Sequence, residues 1–218
     1  MVHTSDELPI ITQRLKDNII ALIQKVPYLT EGETKAFFAY LRLTLLYGLT
    51  HKVENAYTFN TSGYHKHDVG DAYSVDISET LAALKEEPDL SVSTAHNHPD
   101  SIFPSDKDFA IFFKHTILKN MAVCGNIGNL YFIQKGLAFH EINQEKTHSK
   151  IINKLNKTIK IEAQRFMRAS GISFEMLDAS SDDSKAEWCR AVSNATFPAI
   201  CNTIQEFDTG FSFYCEGM

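Results

Sequence analysis

Apolar residues in the first 48 positions recur at helical spacing. Ile10, Ile11, Leu15, Ile19, Leu22, Ile23 and Val26 form one stripe, which Pro27 ends. Thr30 with Glu33 has the form of a capping box. It opens a second helix through Phe37, Phe38, Leu41, Leu45 and Leu46 to Gly48. From Leu49 the period shortens. Residues 53–60 alternate and are rich in aromatic and β-branched side chains, which predicts a strand ending at a turn over 61–63. Residues 71–78 read as a second strand and 78–87 as a short helix capped by Ser78 and halted before Pro88. Alternation returns at 90–98, after which 105–120 reads as a helix with Phe109, Phe112, Phe113 and Ile117 inward. Residues 121–125 and 130–134 flank Asn126-Ile-Gly-Asn129, a hairpin signal, and 137–143 predicts one further strand. A third helix follows over 145–169, with Ile152, Leu155, Ile159, Ala163 and Phe166 on one stripe.

Strands alternating with helices over the middle of the chain predict an α/β (α+β) fold: a mixed sheet flanked by helices, with helical extensions at both ends. The expected organisation is a helical hairpin over 1–48, a mixed domain over 49–144 and a helical extension over 145–218. Trp188, the only tryptophan, and its apolar neighbours predict that the last thirty residues dock on the rest. The basic side chains of the third helix, Lys150, Lys154, Lys157, Lys160, Arg165 and Arg168, lie off its apolar stripe and read as a solvated face.

Composition narrows the function classes only a little. A net charge of −6 argues against a general nucleic-acid binder. The four cysteines are scattered and include no CxxC pair, so free thiols of a reducing compartment are expected. No basic segment followed by an apolar run opens the sequence, and no uncharged apolar stretch is long enough to span a bilayer. A cytoplasmic protein without a membrane partner is the expectation.

The candidate chemistry lies in residues 94–108. His96 and His98 are separated by one residue at the end of a predicted strand, so both project to one face. Asp108 follows at the start of the predicted helix, three positions after Ser105. Two imidazoles and a carboxylate form the ligand set of a catalytic zinc that keeps its fourth position open. Ser105, one turn before Asp108, can turn its hydroxyl toward that position and donate to a developing oxyanion. Ser105-x-x-Asp108 is equally a capping box, which any helix can carry without chemistry. A second His-x-His, His65 and His67, stands in a glycine-flanked stretch with no carboxylate at helix-start spacing. It reads as a loop without a metal role.

His96-Asn97-His98-Pro99, a five-residue spacer, then Ser105-Asp106-Lys107-Asp108 resembles the signature of the JAB1/MPN/Mov34 (JAMM) metalloenzymes. The spacer is shorter than in the eukaryotic deubiquitinating members and looks more like bacterial, phage-associated and RadC-like branches. The resemblance covers residues 50–142 and rests on one short motif. It implies a JAB/MPN-like fold and a zinc metallopeptidase with one Zn2+ per chain, held by His96, His98 and Asp108. It further implies hydrolysis of a peptide or isopeptide bond, with a protein or peptide substrate such as ubiquitin or a ubiquitin-like modifier. A glutamate on an early strand is implied as general base, and Glu54 is the candidate, although a plain strand-edge charge is the alternative for it. Two further readings stay open: a non-catalytic MPN-type scaffold and a RadC-like DNA-associated protein.

Overall fold

The computed structural model describes residues 7–99, 104–136, 145–173, 175–176, 182–205 and 211–216. Two helices come first, α1 (Glu7–Ile23) and α2 (Glu31–His51), followed by strands β1 (Asn55–Asn60) and β2 (His65–Val69). Next are α3 (Ser78–Ala83), β3 (Val92–His98), α4 (Asp106–Lys114), β4 (Leu118–Gly125) and β5 (Leu130–Lys135). The described chain ends with α5 (Glu145–Ala169), α6 (Asp182–Gln205) and β6 (Phe211–Glu216). The six strands form one mixed sheet in the order β2-β1-β3-β4-β5-β6, antiparallel except where β3 and β4 run parallel. Helices cover both faces, as the sequence predicts.

Strand alternation divides the interior in two. Val92 on β3, Met121 and Val123 on β4, and Tyr131 and Ile133 on β5 meet Phe109, Phe112 and Phe113 of α4, with Ile151, Leu155 and Ile200 behind them. The intervening residues Ala95, Ala122, Cys124, Leu130 and Phe132 meet Leu15, Ile19 and Leu22 of α1 and Phe37, Leu41 and Leu45 of α2. Every residue of β3 is buried because helices pack on both sides of it. The Thr30–Glu33 capping box is present, and its Glu33 carboxylate also takes Lys119 from β4 at 2.7 Å. That ion pair ties the start of α2 to the sheet.

Several predicted elements differ from the structure for identifiable reasons. Helix α2 runs past Gly48 to His51 and ends on Lys52 in the left-handed region at φ 59°. Gly48 is no terminator: a Cβ there would lie 2.2 Å from the Asn97 amide, so the glycine lets the helix lie against β3. Residues 71–78 form no strand. Asp71 Oδ1 accepts the Tyr73 and Ser74 backbone N–H groups and folds that stretch into a turn. The second strand is His65–Val69, which the sequence presents as a loop. It lies at the sheet edge, half exposed, and needs no apolar alternation.

Ser78 is not the cap of α3; Ile77 holds that position, and Asp76 Oδ1 accepts the Ser78 N–H at 2.8 Å. Helix α4 stops at Lys114, where His115 turns extended and sends Leu118–Gly125 into the sheet. The β4–β5 hairpin and α5 match the predicted pattern. Trp188 of α6 lies 5.8 Å from Phe166 of α5, which docks the C-terminal helix as expected. The strand predicted over 137–143 falls outside the described residues. Among the described residues no helix is long and apolar enough to cross a membrane.

Candidate metal centre

Strand β3 carries His96 and His98 on one face, and both are almost fully buried at 3 % and 4 % exposure. Asp108 comes from a different element, in the first turn of α4. Its position is set by local hydrogen bonding. The Ser105 N–H donates to Asp108 Oδ2 at 2.6 Å, the Ser105 hydroxyl donates to the same oxygen at 2.7 Å, and the Asp108 N–H donates back to Ser105 Oγ at 3.2 Å. The capping box and the ligand arrangement are therefore one construction: closing the helix N-terminus aims the carboxylate at the histidines.

The donor atoms converge. His96 Nε2 and His98 Nε2 are 3.2 Å apart, His96 Nε2 lies 3.3 Å from Asp108 Oδ1, and His98 Nε2 lies 3.2 Å from Asp108 Oδ2. Donors about 2.0–2.1 Å from a common centre at tetrahedral angles lie about 3.3–3.4 Å from one another. Each separation is close to such an edge length, with one carboxylate oxygen of Asp108 facing each imidazole. His96, His98 and Asp108 thus form a buried group that can hold a metal ion, and no other such group occurs among the described residues. Burial by itself would raise the Asp108 carboxyl, but the charge and hydrogen bonds of His96 and His98 outweigh it and hold Asp108 well below the usual carboxylate range.

Glu54 immediately precedes β1 and is half-buried. Its N–H donates to Asp71 O at 2.6 Å, and its carbonyl accepts the Gly70 N–H at 2.9 Å. The β1–β3 register ends at Ala56–His96, so Glu54, two residues before Ala56, lies beyond the paired part of these strands, and among the described residues the donor group comprises His96, His98 and Asp108 alone. Ser105 is the N-cap of α4, and its one hydroxyl proton is committed to Asp108. Serving an oxyanion would require that hydroxyl to rotate away.

The second histidine pair is built differently. His65 is exposed and His67 half-buried on edge strand β2. The His67 ring stacks on Tyr57, with centroids 4.3 Å apart and planes 7° from parallel, and its Nε2 lies 3.0 Å from Asn55 Oδ1. Burial lowers the His67 pKa, opposed by the neighbouring charge of Asp68.

Two residues of the site escape a reading of the sequence. Asn97 and Asn55 are both fully buried, on the sheet face opposite the histidines. Asn97 Oδ1 accepts from the Asn55 N–H at 2.9 Å and from Asn55 Nδ2 at 2.7 Å, and Asn97 Nδ2 donates to Val53 O at 3.0 Å. Both stand in strands that carry other polar residues, so no local signal singles them out. Comparison with family models, curated proteins and solved structures returned no significant match for this chain.

Proposed function

We propose that this protein is a zinc-dependent hydrolase of the JAMM type, cleaving a peptide or isopeptide bond. The observation that carries the reading is the buried convergence of His96, His98 and Asp108 at separations of 3.2–3.3 Å. When bound there, a zinc ion supplies Lewis acidity, polarising a carbonyl and acidifying a water to near neutrality.

The remaining chemistry belongs to the chain. Glu54, which the resemblance to the JAMM signature implies as general base, takes a proton from the attacking water. The water oxygen then bonds to the carbonyl carbon, the C–N bond breaks, and Glu54 returns its proton to the leaving nitrogen. Ser105 holds Asp108 in place and, on rotation, offers its hydroxyl to the oxyanion. A polypeptide substrate is what the resemblance of residues 96–108 to the JAMM signature implies. The family association points to ubiquitin or a ubiquitin-like modifier as that polypeptide.

A DNA-associated role is the second reading. It rests on the exposed basic side of α5, formed by Lys150, Lys154, Lys157, Lys160, Arg165 and Arg168. That reading leaves the buried donor group without a purpose, and it requires binding that weakens steeply with salt. Hydrolysis of a ubiquitin-like protein's isopeptide conjugate by the zinc-loaded protein, abolished by His98→Ala, tests the first reading. Wild-type protein that holds zinc but leaves peptide and isopeptide bonds intact would overturn it.

A further inference from the structure

The β1–β3 pairing ends at Ala56–His96, two residues before the second histidine of the donor group. At the next position a side chain enters the pairing, because the Asn55 backbone N–H donates to Asn97 Oδ1. Asn97 is the residue between the two histidines, and its amide occupies the opposite face of the sheet. Whatever fixes Asn97 also fixes the pleat of β3 from His96 to His98, and with it the angle between the two imidazoles.

The Asn97 side chain is held at both ends: its Oδ1 accepts from Asn55, and its Nδ2 donates to Val53 O at 3.0 Å. Asn55 donates from both Nδ2 protons, to Thr44 O at 2.9 Å and to Asn97 Oδ1 at 2.7 Å. Turning the Asn55 amide over would set oxygen against two oxygens, so its orientation is determined. Its Oδ1 is therefore the acceptor, and His67 donates to it from Nε2 at 3.0 Å. Finally, α2 lies so close at Gly48 that any Cβ there would meet the Asn97 amide, and the amide cannot swing toward the helix. A hydrogen-bonded line thus runs from His67 on the edge strand, through Asn55, to the backbone between the two metal-facing histidines.

We propose that Asn97, oriented by Asn55 and His67 and backed by Gly48, is a positioning residue that sets the spacing of His96 and His98 for a metal ion. The proposal rests on the metal-site reading above. Groups behind the ligands commonly carry about 10–100-fold in metal affinity when removed. Here the support reaches the ligands through the strand backbone, from the opposite face of the sheet.

The test is a Co2+ titration of the metal-free, full-length protein, read by visible absorption against a competing chelator. Thermal unfolding of the metal-free protein is measured in parallel. Asn97→Ala is expected to lower Co2+ affinity by about 10–100-fold and to alter the cobalt band. His67→Phe, which keeps the stacking on Tyr57 and removes the donor, is expected to lower affinity severalfold, and His67→Gln to restore it. If Asn97→Ala does not fold, His67→Phe at the half-exposed end of the line carries the test. Variants that lose thermal stability but bind Co2+ with wild-type affinity and spectrum would overturn the positioning role alone. A wild-type protein that binds no Co2+ would overturn the metal reading and this inference together.

Discussion

Two His-x-His segments in this chain share one spacing and one secondary structure yet have different surroundings. His96 and His98 lie on the fully buried β3, with α4 presenting Asp108 to them. His65 and His67 lie on the half-exposed edge strand β2, where the nearest partners are tyrosine rings and the Asn55 amide. Period two aligns two imidazoles in both places. A donor group requires more: a third ligand from another element, and burial away from water. The β2 pair has neither. His67 serves the β3 pair instead, at the far end of the line through Asn55 and Asn97.

The largest expected effect separates the two pairs outright. His96→Ala or His98→Ala should weaken Zn2+ binding by at least about a hundredfold, as measured by chelator competition. His65→Ala should leave the stoichiometry unchanged. A metal lost equally from all three variants would erase the distinction.

Next comes the proposed general base. Glu54→Gln should retain zinc while hydrolysis of a peptide or isopeptide substrate falls about 10²–10⁴-fold. Activity that survives the change assigns the base to another group.

Ser105→Ala should cost about 1 kcal/mol in urea unfolding of the metal-free protein, the ordinary value of a helix N-cap. It should also weaken metal binding, because Asp108 loses the hydroxyl that holds Oδ2. Loss of stability with unchanged zinc affinity would reduce Ser105 to a cap.

The smallest effect concerns the β2 pair. Burial holds His67 below its ordinary pKa of 6.5. As pH falls through 6.5 the unfolded chain takes up that proton first, so His67 lowers stability between 6.5 and its folded value. His67→Phe should flatten that part of the acid limb, seen by comparing urea unfolding at about pH 7 and about pH 5. An unchanged slope would show that His67 gains no proton on unfolding.

The contrast between the two pairs also explains what was legible in the sequence. Strand β3, the β4–β5 hairpin and α5 announce themselves because each buries a face, and burial writes apolar periodicity into the chain. His96, His98 and Asp108 were legible for a related reason: ligand spacing along a strand and at a helix start is local. Strand β2 was not, because an edge strand with histidine and lysine in place of aliphatic residues carries no such period. The extent of α2 was misread at Gly48 because a glycine that admits a neighbouring strand looks the same in sequence as one that ends a helix. Asn55 and Asn97 were missed because their partnership joins two strands at their ends, and nothing local marks it.

Metal analysis of the protein purified without added zinc tests most directly whether His96, His98 and Asp108 hold a metal. About one equivalent of tightly held zinc per chain, lost in the His98→Ala variant, is the predicted result. Less than about half an equivalent, even after zinc is resupplied, would contradict it.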